Sequence, residues 1–170
     1  NNYVSTWSSC YAGHFLVEAK SLGYNVSSTV LDKWIDFQKK EAKNWNNSGN
    51  TDGYYRGNYA FEQAYRLYTL ALAGSPELGA MNRLREMKGL SVSTQWRLAA
   101  TYALIGKKEV ANKLVSGLTT DIEDYVELSY TFGSQLRDEA MILETMMHLD
   151  KNKEAGLMAK QISERLNSGN

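Results

Sequence analysis

AYRLYTLALAGSPELGAMNRL, Ala64–Leu84, is a helical hairpin written in a single short stretch. Ala64, Leu67, Leu70 and Ala71 recur at the three- and four-residue spacing of a buried helical stripe. Gly74 follows the apolar run, where a residue without Cβ ends a helix in the left-handed conformation at least cost. Ser75 then reads as the N-cap of a second helix and Pro76, the only proline, as its first helical residue. Glu77 stands near the positive end of that helix dipole. The stretch therefore predicts two antiparallel helices joined by a tight turn.

The same grammar recurs along the chain. FLVEAKSLG ends at Gly23, LYTLALAG at Gly74, AATYALIG at Gly106 and ETMMHLD at Asp150. Five residues beyond the last three turns stand Gly79, Ala111 and Ala155, small enough to let each return helix pack closely. The expected class is all-α, an αα-hairpin array. Unequal intervals between the turns, and no tryptophan–leucine–glycine–tyrosine signature, argue against a tetratricopeptide solenoid and for a partial α/α toroid.

Working outward, Trp7–Leu22 predicts a first helix with Cys10, His14 and Val17 inward and Tyr11 and Leu22 beside them. Ser27 or Ser28 caps a second, whose apolar positions are Leu31, Trp34, Ile35 and Phe37 and which fades through the charged QKKEAK segment. Asn46–Asn58 is a polar, Gly- and Asn-rich loop. Ser91 or Ser93 starts the helix that carries Trp96, Ala99, Ala100, Ala103 and Leu104, and Lys107–Ser116 is its return arm. Val126, Leu128, Tyr130 and Phe132 alternate with Glu127, Ser129 and Thr131, predicting a short extended insertion near 122–133. Ser134 caps a last pair, Leu136–Leu149 and Lys153–Leu166.

Composition bounds the function. The chain has 170 residues, enough for a substantial core, and reads as a single domain over 1–170. Nineteen basic residues balance nineteen acidic ones, so no excess charge argues for nucleic acid or an anionic membrane. No apolar run is long enough to span a bilayer, and NNYVSTW carries no secretory signal. One cysteine excludes an internal disulfide.

Few residues invite a chemical reading. Cys10 and His14 share a helical face as a thiolate–imidazole pair would, but mid-helix offers no free N–H groups for an oxyanion, and a buried core cysteine is the better expectation. Asp138 and Glu139 sit in a first helical turn, where carboxylates complement the dipole rather than act as an acid–base pair. His148, in a last turn, would interact favourably with the dipole as an imidazolium. Met141, Met146, Met147 and Met158 read as core filling. Two histidines and one cysteine assemble no N/S metal site, and no catalytic residue, metal or cofactor is expected.

Three blocks, YVSTWSSCYAGHFLVEAKSLGYNV, AYRLYTLALAGSPELGAMNRLRE and YTFGSQLRDEAMILETMMHL, resemble in order the thioester (complement-like) domain of bacterial alpha-2-macroglobulins. The resemblance implies a slice of an α/α toroid within a large protease trap. In that family a protease cleaves a bait region, the trap collapses around it, and a cysteine–glutamine thioester acylates it. The family's C-x-E-Q motif would lie upstream of Asn1, and a closing helix would follow Asn170, so the slice lacks the first and last helices of the ring. Cys10, followed by Tyr11, Ala12 and Gly13, is not that cysteine. In complement-type relatives the loop after the LDKWIDFQ helix carries a histidine that directs the thioester toward hydroxyls. Here that thioester-proximal loop offers Asp52, Tyr54, Tyr55 and Arg56 and no histidine, which implies acylation of amines or none; the residues by themselves read as a solvated connector with two packed tyrosines.

The resemblance thus implies a structural, non-enzymatic part of a protease inhibitor. Its partners would be proteases, through the full-length parent, and the parent's other domains. Its location would be the periplasm or cell envelope, or outside the cell. Exposed flanks at Trp7, Phe15, Leu16 and Trp34 and at Met141, Met146, Leu157 and Met158 predict either self-association or a rearranged terminal helix that covers the gap. Two other readings fit the hairpin array: a helical-repeat module binding protein on a concave face, and an α/α-toroid glycan-processing enzyme.

Overall fold

The computed structural model describes residues 5–46, 56–128 and 131–168. Its helices are α1 (Thr6–Ser21), α2 (Ser28–Asn44), α3 (Arg56–Leu72), α4 (Leu78–Arg85), α5 (Val92–Leu104), α6 (Lys108–Val115), α7 (Gln135–His148) and α8 (Asn152–Ser168). Among the described residues there is no strand, only an antiparallel bridge between Val126 and Ser134. The fold is an all-helical array in two compact units, residues 1–90 and 91–170.

The four aligned turns are the same object. Gly23, Gly74, Gly106 and Asp150 have φ of 86°, 71°, 77° and 57°. Each donates its N–H to the carbonyl three residues back, and the next residue donates to the carbonyl five residues back from itself, at 2.9–3.2 Å. This is the Schellman closure, which satisfies carbonyls left over at a helix end. Aspartate tolerates the left-handed region at Asp150, where its carboxylate also pairs with Lys108.

The return helices do not all start at the same distance from the turn. α6 and α8 begin two residues later, but α4 begins only at Leu78. Ser75 therefore does not cap α4, and Pro76 is not its first helical residue. A proline pushes the residue before it toward extended backbone, and Glu77 is drawn to Lys39 and Lys43, each 3.4 Å away. Glu77 becomes the N-cap, with no side-chain cap bond. The delay moves the buried small residue to Ala80 and leaves Gly79 exposed, whereas Ala111 and Ala155 are buried as expected.

In the first unit α3 packs on α1, α2 and α4 and is buried at every position from 63 to 70. Its first turn starts at Arg56, inside the stretch read as loop. The inner face of α1 is Trp7, Cys10 and Gly13. Tyr11 and Leu22 are exposed, and His14 and Val17 only half-buried. Gly13 sets this face: the Trp34 indole lies on its backbone and donates Nε1–H to the Ser9 carbonyl at 2.9 Å. Ser27 caps α2, which buries Leu31, Gln38 and Ala42; Trp34 and Ile35 are half-buried and Phe37 is exposed.

In the second unit α5 is the enclosed helix, packed by α6 and α7, with α8 against α7. Ser91 and Ser134 cap α5 and α7 through their hydroxyls. The chain before α7 doubles back, Glu127 donating to Gly133 and Gln135 to Tyr125. The predicted extended insertion is instead a short reversal closed by one bridge, with Phe132 at φ 50°. Ser129 and Tyr130 lie outside the described residues, and the apolar side chains described are the outer ones. Val126, Leu128 and Phe132 are exposed, while the Glu127 carboxylate gathers the Thr131 hydroxyl at 2.6 Å and N–H groups of Thr131 and Gly133.

A Cβ on residue 13 would meet Trp34 Cε2 at 1.9 Å, whereas one on residue 79 meets nothing within 4 Å. Gly13→Ala is expected to destabilise the first unit by about 1–3 kcal/mol through overpacking. Gly79→Ala, in exposed helix, should be neutral or stabilising by up to about 1 kcal/mol. Urea denaturation of the two variants beside the parent checks the contrast.

Candidate functional site

α3 brings polar side chains into the heart of the first unit. Arg66 is 4% exposed. Its Nε donates to Gln38 Oε1 at 3.0 Å, Nη1 to Gln63 Oε1 at 2.6 Å and Nη2 to Thr6 Oγ1 at 3.3 Å. Gln38, fully buried, also donates to Ser9 Oγ at 2.7 Å and accepts from the Cys10 thiol at 3.6 Å. Gln63 donates to the Ala42 carbonyl at the end of α2. A cluster of side chains from three helices is thereby fixed around one guanidinium.

Cys10 and His14 do not form the pair that their spacing allows. The thiol faces Gln38, whereas His14 Nδ1 meets the Tyr65 hydroxyl at 2.9 Å and Nε2 lies 3.7 Å from Glu18. Burial pushes the Cys10 thiol up to about 12, with the Arg66 charge opposing. It is a core thiol, not a nucleophile. Trp7 stacks on Tyr65 and Phe61, with centroids 4.6 and 5.9 Å apart, which withdraws it from the exposed flank expected of it.

Two concavities open on this unit. One, of about 270 Å³, is lined by Thr6, Glu41, Asn44, Trp45, Asn46, Tyr59, Glu62 and Arg66. The other, of about 740 Å³, lies between the end of α1 and the start of α2, among Phe15, Leu22, Tyr24, Val26 and Val30. Phe15, Leu22 and Tyr24 are each about 70% exposed there. Of the residues expected near a thioester, Asp52, Tyr54 and Tyr55 lie outside the described residues, and Arg56 opens α3.

The second unit holds a separate network. Asp138 Oδ2 accepts from Ser93 at 2.7 Å and Tyr125 at 2.8 Å, and Oδ1 from Arg137 Nε and Nη2 at 2.9 and 2.6 Å. Burial, then the hydrogen bond to Asp138, holds the Tyr125 hydroxyl well above its ordinary range. Glu139 pairs with Arg165 at 2.5 Å. Both carboxylates are buried, so they are tie points rather than the solvated dipole partners expected. His148 departs from expectation too: burial lowers its pKa from the ordinary value, against the pull of Glu144, so the neutral imidazole is favoured. Of the predicted methionine core, Met146 and Met158 are buried, Met141 is half-buried and Met147 is exposed.

Sequence reading missed Arg66, Gln38 and Gln63. The signal was available: Gln38 stands seven residues after Leu31, in phase with the buried stripe, and Arg66 interrupts an apolar helix. Among the described residues no three His, Cys, Asp or Glu side chains converge as a metal site, and no helix is long and apolar enough to cross a membrane.

The helices, caps and four identical turns define an all-helical hairpin array. No protein-family model and no curated protein sequence matches the chain. Solved structures share its fold. Salmonella alpha-2-macroglobulin reacted with methylamine matches 97% of this chain with a TM-score of 0.79 at 19% identity. The native conformation of Escherichia coli alpha-2-macroglobulin matches 96% with a TM-score of 0.76 at 20% identity. In both, the chain spans 11% of the length of its neighbour. A native Escherichia coli structure running from domain MG7 to the C-terminus matches 96% with a TM-score of 0.75 at 18% identity, 27% of that chain being covered. The fold is therefore that of a segment of bacterial alpha-2-macroglobulins, the family that the sequence blocks resemble.

Two measurements test these environments. At about pH 8 the Cys10 thiol should stay unreactive toward a thiol reagent in the native chain and react fully in denaturant. The folded pKa of His148 lies below the unfolded value, so its contribution to stability is present above about 6.5 and lost as pH falls through the folded value. Stability should drop as pH falls below about 6.5, and less steeply in His148→Asn.

Proposed function

We propose that this chain is a structural, non-catalytic segment of a bacterial alpha-2-macroglobulin-like protease inhibitor, part of its helical thioester-type domain. The single observation that carries the reading is the fold likeness over 96–97% of the chain to structures of that family. The three ordered sequence blocks support it independently. The inertness of Cys10 fits a segment that shapes a thioester domain without supplying the reactive cysteine. Proteases are then partners of the parent alone, in the periplasm or cell envelope. The apolar groove at Phe15, Leu22 and Tyr24 is a face for another part of the parent to cover.

The test compares the segment with its parent. The 170-residue chain should gain no methylamine adduct, release no thiol and leave trypsin active on a large substrate. A product of the same gene that includes the flanking coding sequence should release one thiol with methylamine and shield trypsin from large substrates. An adduct on the short chain, or a parent without C-x-E-Q that leaves trypsin unshielded, overturns the reading. Sedimentation of the short chain should show concentration-dependent association, reduced by Phe15→Ser.

A further inference from the structure

α1 is apolar on both of its sides. Trp7, Cys10 and Gly13 turn into the first unit. On the opposite side Tyr11, Phe15 and Leu22 follow one another at four- and seven-residue spacing, and they are 64–74% exposed. A helix apolar all round is one that is packed all round. Tyr24 and Val30, also exposed, carry the outer face across the turn into α2, around the hollow of about 740 Å³.

The size of this face says what kind of partner it fits. An aromatic side chain presents about 150–250 Å², so these five residues expose on the order of 600 Å² of apolar surface. That is the upper end of what a monomer leaves in one patch, and it approaches the ~800 Å² that each partner brings to a stable interface. A small ligand suits the hollow poorly. Phe15, Leu22 and Tyr24 stand well out at its edge, so such an occupant would stay open to water, whereas ligand sites enclose most of what they bind. A charged partner finds no handle either. Glu18 is the one charged side chain lining the hollow, and its carboxylate lies 3.7 Å from His14 Nε2 on the same helix. What the face does offer is projections and a hollow side by side. Such a surface is complementary to a copy of itself turned about a two-fold axis, each projection entering the other copy's hollow.

We propose that this face is a two-fold interface between two copies of the chain, with Phe15, Leu22 and Tyr24 of each copy seated in the hollow of the other. The inference goes beyond the assignment of the groove to the parent: in the 170-residue chain on its own, the same face takes a second copy. Because a two-fold contact uses the same surface on both partners, it closes at a dimer and does not continue into a polymer.

Sedimentation from about 1 μM to 1 mM should pass from monomer to dimer and stop there. Charge variants test the two-fold arrangement, because each copy presents the same side chain to the interface. Leu22→Lys and Leu22→Glu lie at a position 74% exposed in the monomer, and circular dichroism checks that both fold. Each alone should raise the dimer dissociation constant roughly tenfold or more, since it carries a charge of one sign into an apolar contact on both sides. An equimolar mixture of the two should associate more tightly than either alone. Leu157→Lys, at another exposed leucine on α8, should leave the constant unchanged. In isotope-filtered NMR of mixed labelled and unlabelled chains, contacts between copies should join Leu22 methyls to Phe15 or Tyr24 rings. The parent reading is decided separately by methylamine, since a monomeric short chain leaves the thioester of a longer product untouched. A chain that stays monomeric throughout, one that grows past the dimer, a dimer indifferent to Leu22→Lys, or a mixture no tighter than its components overturns the proposal.

Discussion

A helix enclosed on all sides cannot leave its polar groups to water, and two helices here are enclosed. α3 is buried from 63 to 70 and α5 almost continuously from 94 to 103. Each carries an arginine after an aromatic residue and before a leucine, Tyr65-Arg66-Leu67 and Trp96-Arg97-Leu98. Each also carries a threonine whose hydroxyl returns to the arginine carbonyl, Thr69 at 2.9 Å and Thr101 at 3.0 Å. The remaining demand falls on neighbouring helices, which must present acceptors at fixed places. Gln38, Glu144 and the carbonyls at the end of α2 answer it. Packing order thus follows from satisfying polar groups as much as from burying apolar ones.

The turns solve a second problem, the direction in which each hairpin returns. One residue in the left-handed region reverses the chain and closes the last helical carbonyls in the same step. Because the closure is backbone to backbone, three glycines and one aspartate serve equally. The side chains just beyond the turn are freer: proline delays α4, lysine admits α6 at once, and the register of the return helix moves with it. Glu77, Lys39 and Lys43 then hold the delayed start of α4 against α2.

These two constraints explain what was legible in the sequence. Turn chemistry is local, so the hairpin array, the four αL positions and the caps at Ser27, Ser91 and Ser134 could be read from neighbours along the chain. The face of α1 could not. It is chosen by Gly13 receiving the Trp34 indole from another helix, a contact that no period along α1 announces. The carboxylates Asp138 and Glu139 look like dipole partners because sequence shows their helix position but not the Arg137, Tyr125 and Arg165 groups that enclose them. The 270 Å³ pocket was unreadable for the same reason: its lining comes from three helices far apart in sequence.

The same reasoning sets what a fold likeness at about 19% identity carries. Left-handed turns, small residues at hairpin returns and enclosed helices are each satisfied by many sequences, so architecture persists while side chains change. Chemistry has no such latitude, because it depends on particular atoms at particular distances. Cys10 shows the difference: it sits in a block that resembles a thioester-bearing family, yet burial and Gln38 give it the properties of a packing residue. A buried guanidinium beside neutral acceptors, under a pocket lined by carboxylates, is a property of these residues and not of the fold.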